Sequence, residues 1–237
     1  MKHHTRAVLQ LAALCFVLGV FGFAASDNAY LYVVHGIPGR DIADNVNPAY
    51  PIDVLLSGSC QIRGLAYDST NGLLSFAAGT YDVEISEANS LAGCTNSAII
   101  SSQLTLSAGN TVSAVAAISG GQPTLLLFPD DLTPVTPGNA RFVFAQAADA
   151  PALQATLTQL YVKSPATFTA TAKPGAQAAL TVPAGSYSVV VVAETSTAVL
   201  TSEQVTLPAQ SATFTYAVGQ AANNSVGLVS KTVRDVF

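Results

Sequence analysis

The chain repeats itself at long range. Phe76-Ala77-Ala78-Gly79-Thr80-Tyr81-Asp82-Val83 returns as Val182-Pro183-Ala184-Gly185-Ser186-Tyr187-Ser188-Val189. Leu104-Thr105-Leu106-Ser107-Ala108-Gly109 returns as Val205-Thr206-Leu207-Pro208-Ala209-Gln210. The interval matches the length of a small β-domain, so the repeat implies two copies of a module rather than a short-period solenoid. Both copies are made of strand and turn signals.

Short apolar or alternating runs fill each half, separated by turn residues. In the first half they include Tyr30 to His35, Ile52 to Leu56, Gln61 to Tyr67, Leu73 to Phe76, Tyr81 to Ser86, Ala98 to Leu106, Thr111 to Ile118 and Thr124 to Phe128. Asn71-Gly72 suits a tight hairpin, because both residues tolerate positive φ. Ala78-Gly79, Ala108-Gly109-Asn110 and Gly120-Gly121 mark further corners. Pro129, Pro134, Pro137 and Gly138 then interrupt any central strand, which reads as a stiff linker. In the second half, Tyr187 to Val192 is so continuously apolar that it reads as a strand buried on both faces. The expected fold is all-β: two tandem immunoglobulin-like or transthyretin-like antiparallel β-sandwiches after an N-terminal signal helix. The expected boundaries are residues 1–26 for the signal, 27–131 for module one, 132–139 for the linker and 140–237 for module two.

Lys2 and Arg6 precede an uncharged run from Ala7 to Ala25, which ends in small residues. That is the layout of a secretory signal peptide cleaved near Ala24 to Ser26, and the competing reading is an uncleaved anchor. No other apolar run is long enough to span a bilayer as a helix. The remaining runs are too short and too apolar on both faces for a lipid-facing barrel. Loss of Lys2 and Arg6 takes the formal charge from −5 to −7. An acidic chain with so few cations is a poor partner for nucleic acid or anionic membrane surfaces. After cleavage only Cys60 and Cys94 remain. An oxidising compartment favours their pairing, against the alternative of two separate buried thiols.

The first half resembles the bacterial exported domain-of-unknown-function 4397 family (DUF4397). The residues that carry the resemblance are Val33-Val34-His35-Gly36-Ile37-Pro38, Pro51-Ile52-Asp53-Val54-Leu55, Ala77-Ala78-Gly79-Thr80-Tyr81 and Leu104-Thr105-Leu106-Ser107-Ala108-Gly109. The second half looks like a degenerate copy, with Ala145 standing in place of the histidine and Pro183-Ala184-Gly185-Ser186-Tyr187 as its clearest match. The resemblance implies export and a β-sandwich, and brings no activity with it.

His35 is the single histidine of the mature chain, with Asp41, Asp44 and Asp53 nearby in sequence. Those four residues form the candidate binding or catalytic loop, with His35 as a base or metal ligand held by a carboxylate. The plainer reading has His35 bonding a loop backbone at the sandwich rim. Asp41, Asp44, Asn45 and Asn47 are rich in oxygen but lack a calcium-loop spacing, so no cofactor is expected, with calcium at this loop as the lesser alternative. Tyr81 and Tyr187 open strands after glycine corners. Such tyrosines pack their rings inward and tie their hydroxyls to nearby backbone. No nucleophile elbow or phosphate loop occurs. The expectation is a non-enzymatic exported protein of the bacterial envelope, of binding, structural or adhesion type, whose partner is an envelope protein or cell-surface polymer. The alternatives are an envelope hydrolase or metal-dependent enzyme using His35 with Asp53 or Asp41, and an accessory subunit of a secretion or surface assembly.

Overall fold

A computed structural model describes residues 27–43 and 47–234; the predicted signal helix and Asp44 lie outside them. The described residues contain sixteen strands and one 3-10 turn at Gly39–Asp41. The first eight strands are β1 (Asn28–His35), β2 (Ile52–Leu56), β3 (Ser59–Leu65), β4 (Ser69–Ala77), β5 (Gly79–Glu87), β6 (Ala98–Leu106), β7 (Thr111–Ser119) and β8 (Gln122–Pro129). They build two sheets of order β4-β1-β7-β8 and β3-β2-β5-β6. The second eight are β9 (Asn139–Gln146), β10 (Leu153–Gln159), β11 (Thr167–Ala172), β12 (Gln177–Pro183), β13 (Gly185–Ala193), β14 (Val199–Leu207), β15 (Ala212–Val218) and β16 (Gly227–Val233). Their sheets run β12-β9-β15-β16 and β11-β10-β13-β14, which is the first order shifted by eight. In each sandwich the first strand lies parallel to the seventh, and the remaining pairings are antiparallel.

The repeat holds down to single hydrogen bonds. Gly109 N–H donates to Asn28 O, and Gln210 N–H to Asn139 O. Both donors sit at positive φ, at 76° and 54°. Thr80 faces Thr105 across β5 and β6 (3.1 Å), as Ser186 faces Thr206 across β13 and β14 (3.4 Å). Tyr81 Oη donates to Ala77 O at 2.8 Å, and Tyr187 Oη to Pro183 O at 2.6 Å. Each ring leans on a phenylalanine, Phe76 or Phe168. Tyr187 is fully buried whereas Tyr81 is partly exposed. Removing the hydroxyl therefore costs unequally: Tyr187→Phe is expected to lose about 1 kcal/mol in urea unfolding, and Tyr81→Phe clearly less. Equal losses would separate the tie from burial.

Two expectations need correction. Asn71-Gly72 makes no hairpin: it lies inside β4, where pairing with β1 skips between Leu31 and Val33. Gly72 is there because a Cβ would meet the Tyr32 ring at 2.6 Å. Nor is Tyr187 to Val192 buried on both faces. Tyr187, Val189 and Val191 are buried, while Ser188, Val190 and Val192 are half-buried on an outer sheet. Enclosure on both sides is found at the centre of the inner sheets, as in β15, whose seven residues are all buried, while their edge strands β4 and β12 are mostly half-buried or exposed.

Each sandwich has its own apolar core. A third core lies between the sandwiches, where equivalent sheet faces pack on one another. Val34, Val115 and Phe128 of the first meet Val143, Phe214, Tyr216, Val218 and Val229 of the second. Burying a large apolar side chain contributes about 1.5–3 kcal/mol, so this shared face fixes the two sandwiches together. Small residues allow the approach: a Cβ on Gly36 would meet Val218 Cγ1 at 2.4 Å.

Candidate functional site

His35 ends β1 with its ring turned into the protein, fully buried. Its Nε2 donates to Tyr50 O at 2.6 Å, and its Nδ1 accepts from Ile37 N–H at 3.3 Å. Those bonds require the neutral ring, and burial pushes its pKa down to about 4 despite the Tyr50 carbonyl. Both ring nitrogens are thereby occupied in holding the two ends of the segment between β1 and β2.

The second sandwich does the same work without an imidazole. Gly36 N–H bonds Ala116 O, and Ala147 N–H bonds Ala217 O, which aligns His35 with Gln146. Gln146 Oε1 accepts from Ala148 N–H at 3.1 Å, two residues on, as Nδ1 does in His35. Gln146 Nε2 donates to Pro151 O at 3.0 Å, two residues before β10, as Tyr50 stands two before β2. The histidine-equivalent position is therefore Gln146 and not Ala145, which the register of β9 places one residue earlier.

This equivalence gives a prediction. A histidine whose folded pKa lies below its ordinary 6.5 is protonated more readily when unfolded, so stability falls as pH falls from 6.5 toward 4. The full window is worth up to about 3 kcal/mol. His35→Gln is expected to remain folded and to flatten that part of the profile, measured by urea midpoints at pH 7 and pH 5. An unchanged acid slope would show that His35 is not its source.

The other candidate residues go elsewhere. Asp41 reaches the second sandwich, accepting from Ser225 Oγ at 2.5 Å and Asn223 Nδ2 at 3.1 Å. Beside it Arg40 Nη2 donates to Asn224 O. Asn47 Oδ1 accepts from Ala49 N–H in a local turn. Asp53 is buried, and its carboxylate gathers the N–H groups of Gly64 (2.8 Å), Asn89 (3.3 Å) and Cys94 (2.6 Å). The Cys60–Cys94 disulfide clamps the same loop, with Cα atoms 5.9 Å apart. His35, Asp41 and Asp53 thus share no partner, and among the described residues no group of three metal-ligating side chains forms.

Among the described residues, two surface cavities bear on the candidate groups. One of about 320 Å³ lies beside the disulfide loop, bordered by Asp53, Arg63, Asn89 and Leu91. The larger, about 540 Å³, lies by the interdomain segment and is bordered by Tyr30, Thr111, Asp130, Leu132 and Gln177. Neither is lined by His35.

The larger cavity abuts a buried ion pair. Lys231 Nζ lies 2.5 Å from Asp130 Oδ2, with side chains 5% and 0% exposed. The ammonium sits over the Tyr32 ring, 3.4 Å from its centroid, and 4.7 Å from that of Phe214. Ser113 Oγ is 2.9 Å from both Asp130 oxygens and accepts from Tyr216 Oη at 2.7 Å. Burial raises the Asp130 carboxyl against the pull of Lys231. It lowers Lys231 to about 8 against the pull of Asp130. Sequence reading placed Asp130 at the edge of the linker and passed over Lys231. The available signal was parity: Lys231 shares a strand face with buried Val229.

Among curated proteins none matches this chain. Solved structures give weak likenesses. A candidate cell adhesion protein from Bacteroides uniformis ATCC 8492 is 10% identical, covering 87% of this chain and 97% of its own, with a TM-score of 0.30. Another from Bacteroides fragilis NCTC 9343 is 14% identical, covering 89% and 85%, with a TM-score of 0.27. The Bacillus anthracis TIE protein is 10% identical over 82% of this chain, with a TM-score of 0.27, and the chain spans only 34% of that protein. The family comparison is firmer. The model for a domain of unknown function, DUF4397, matches residues 29–156, which run from β1 into β10 and make up more than half of the sequence, so the chain belongs to the DUF4397 family.

Proposed function

We propose that this is a non-enzymatic, exported protein of the bacterial envelope, a rigid two-sandwich element that binds an envelope protein or a cell-surface polymer. The observation that carries this reading is the equivalence of His35 and Gln146. The one histidine of the mature chain spends both nitrogens on loop backbone, and an amide does the same in the second sandwich. A position filled by glutamine in one copy serves structure rather than proton transfer. The identical strand order and the shared hydrogen bonds support reading residues 140–237 as a degenerate second copy of the family. On this reading 1–26 is a signal, 27–131 the first module and 132–139 the linker. Asp41 faces the second sandwich, which leaves the loop beside the disulfide, with exposed Leu91, as the more accessible contact surface of the first.

Oxidised protein comprising residues 27–237 is expected to be retained saturably by purified cell-wall and outer-envelope fractions, and equally so as His35→Gln. Substrate-dependent turnover that is abolished by His35→Gln would replace this reading with the hydrolytic one.

A further inference from the structure

We propose that Lys231 and Asp130 condense spontaneously into a side-chain amide that staples the two sandwiches together. The geometry is that of a reactant pair. Two groups 101 positions apart in sequence meet at 2.5 Å, with side chains 5% and 0% exposed. Positioning of this kind replaces a bimolecular encounter with an effectively intramolecular one. Tyr32 and Phe214 flank the amine, and Ser113, which accepts from Tyr216, bonds both oxygens of the carboxyl. Burial favours the uncharged forms of both partners, which are the forms that react.

The step balances within the pair. One ammonium proton passes to the carboxylate, leaving a free amine beside a carboxylic acid. Nζ attacks the Asp130 carboxyl carbon, and the Ser113 hydroxyl, itself bonded by Tyr216, steadies the oxygen that gains charge. The C–O bond to the protonated oxygen breaks, and that oxygen leaves as water with a second amine proton. One C–N bond replaces one C–O bond, one water is released, and no electrons are transferred to or from any outside group. The product is neutral, so two buried charges disappear from the interface and the water has no apolar site to hold it.

Mass spectrometry of the reduced, denatured chain after native incubation at neutral pH decides the matter. The expected result is a mass about 18 Da below that of the sequence, with full mass restored in Lys231→Arg and in Asp130→Ala. Proteolysis should give one joined peptide containing Asp130 and Lys231, with no tryptic cut after Lys231. Ser113→Ala keeps both reacting groups and acts through positioning, so the light form should appear about tenfold or more slowly. Full mass in the folded wild type overturns the proposal whether or not any variant folds. Water loss mapped to any other residue, such as a cyclised aspartate, overturns it equally.

Discussion

Lys231→Met is expected to be less stable than the double variant Lys231→Met/Asp130→Leu by about 3 kcal/mol at neutral pH. The single change leaves Asp130 with no counter-charge at a side chain that is fully buried between the sandwiches. The double change removes the stranded charge and fills the site with apolar volume beside Phe128 and Phe214. Comparing the two variants isolates the cost of an uncompensated carboxylate, and neither variant can form the amide. The pH dependence has a definite sign. A carboxyl whose folded pKa is raised holds its proton more tightly when folded, so its contribution is present at low pH and lost as pH rises through the folded value. Lys231→Met should therefore gain stability on acidification relative to the double variant, read from paired denaturant curves. A pair of curves that run parallel with pH would show that Asp130 finds water or another partner.

The second large effect belongs to the loop between β5 and β6. Cys60→Ala with Cys94→Ala is expected to cost about 4 kcal/mol, because the disulfide closes a loop across a sequence separation of 34. Asp53 holds the same loop from beneath through the N–H groups of Asn89 and Cys94. Asp53→Asn in the disulfide-bonded protein turns an amide N–H₂ toward one of those donors, at a cost of about 2–3 kcal/mol. Once the disulfide is gone the loop is free to move away, and the same substitution should cost about 1 kcal/mol less. A double-mutant cycle in urea measures that coupling. Strict additivity would mean that the two clamps restrain different parts of the loop.

What was legible in the sequence was local. The Gly-x-Tyr corners announced two strands and their hydroxyl ties, because all of the atoms involved lie within four residues. The paired cysteines were equally plain. The misreadings share a cause in tertiary contact. Asn71-Gly72 has the chemistry of a turn, but the Tyr32 ring claims the space over Gly72. The valines of β13 report strand preference, and which face is covered depends on the sheet's place in a stack of four. Gln146 was missed by one position, since β9 shares almost no side chains with β1 and only the ladder sets the register. Asp130 and Lys231 lie too far apart for any pattern to join them. A lone lysine on an apolar strand face was the sole trace.

The parallel pairing of the first strand with the seventh dictates an order of events for a chain that emerges N-terminus first. β1 is central in its sheet, and its β7 neighbour begins only at Thr111. β9 likewise waits for β15, and the face shared by the sandwiches is complete only when β16 arrives. Contacts of such long sequence separation form slowly. During synthesis, the face of β1, β7 and β8 that meets the second sandwich therefore stays uncovered until nearly the whole chain is out, a prolonged exposure that raises the risk of aggregation before folding is complete.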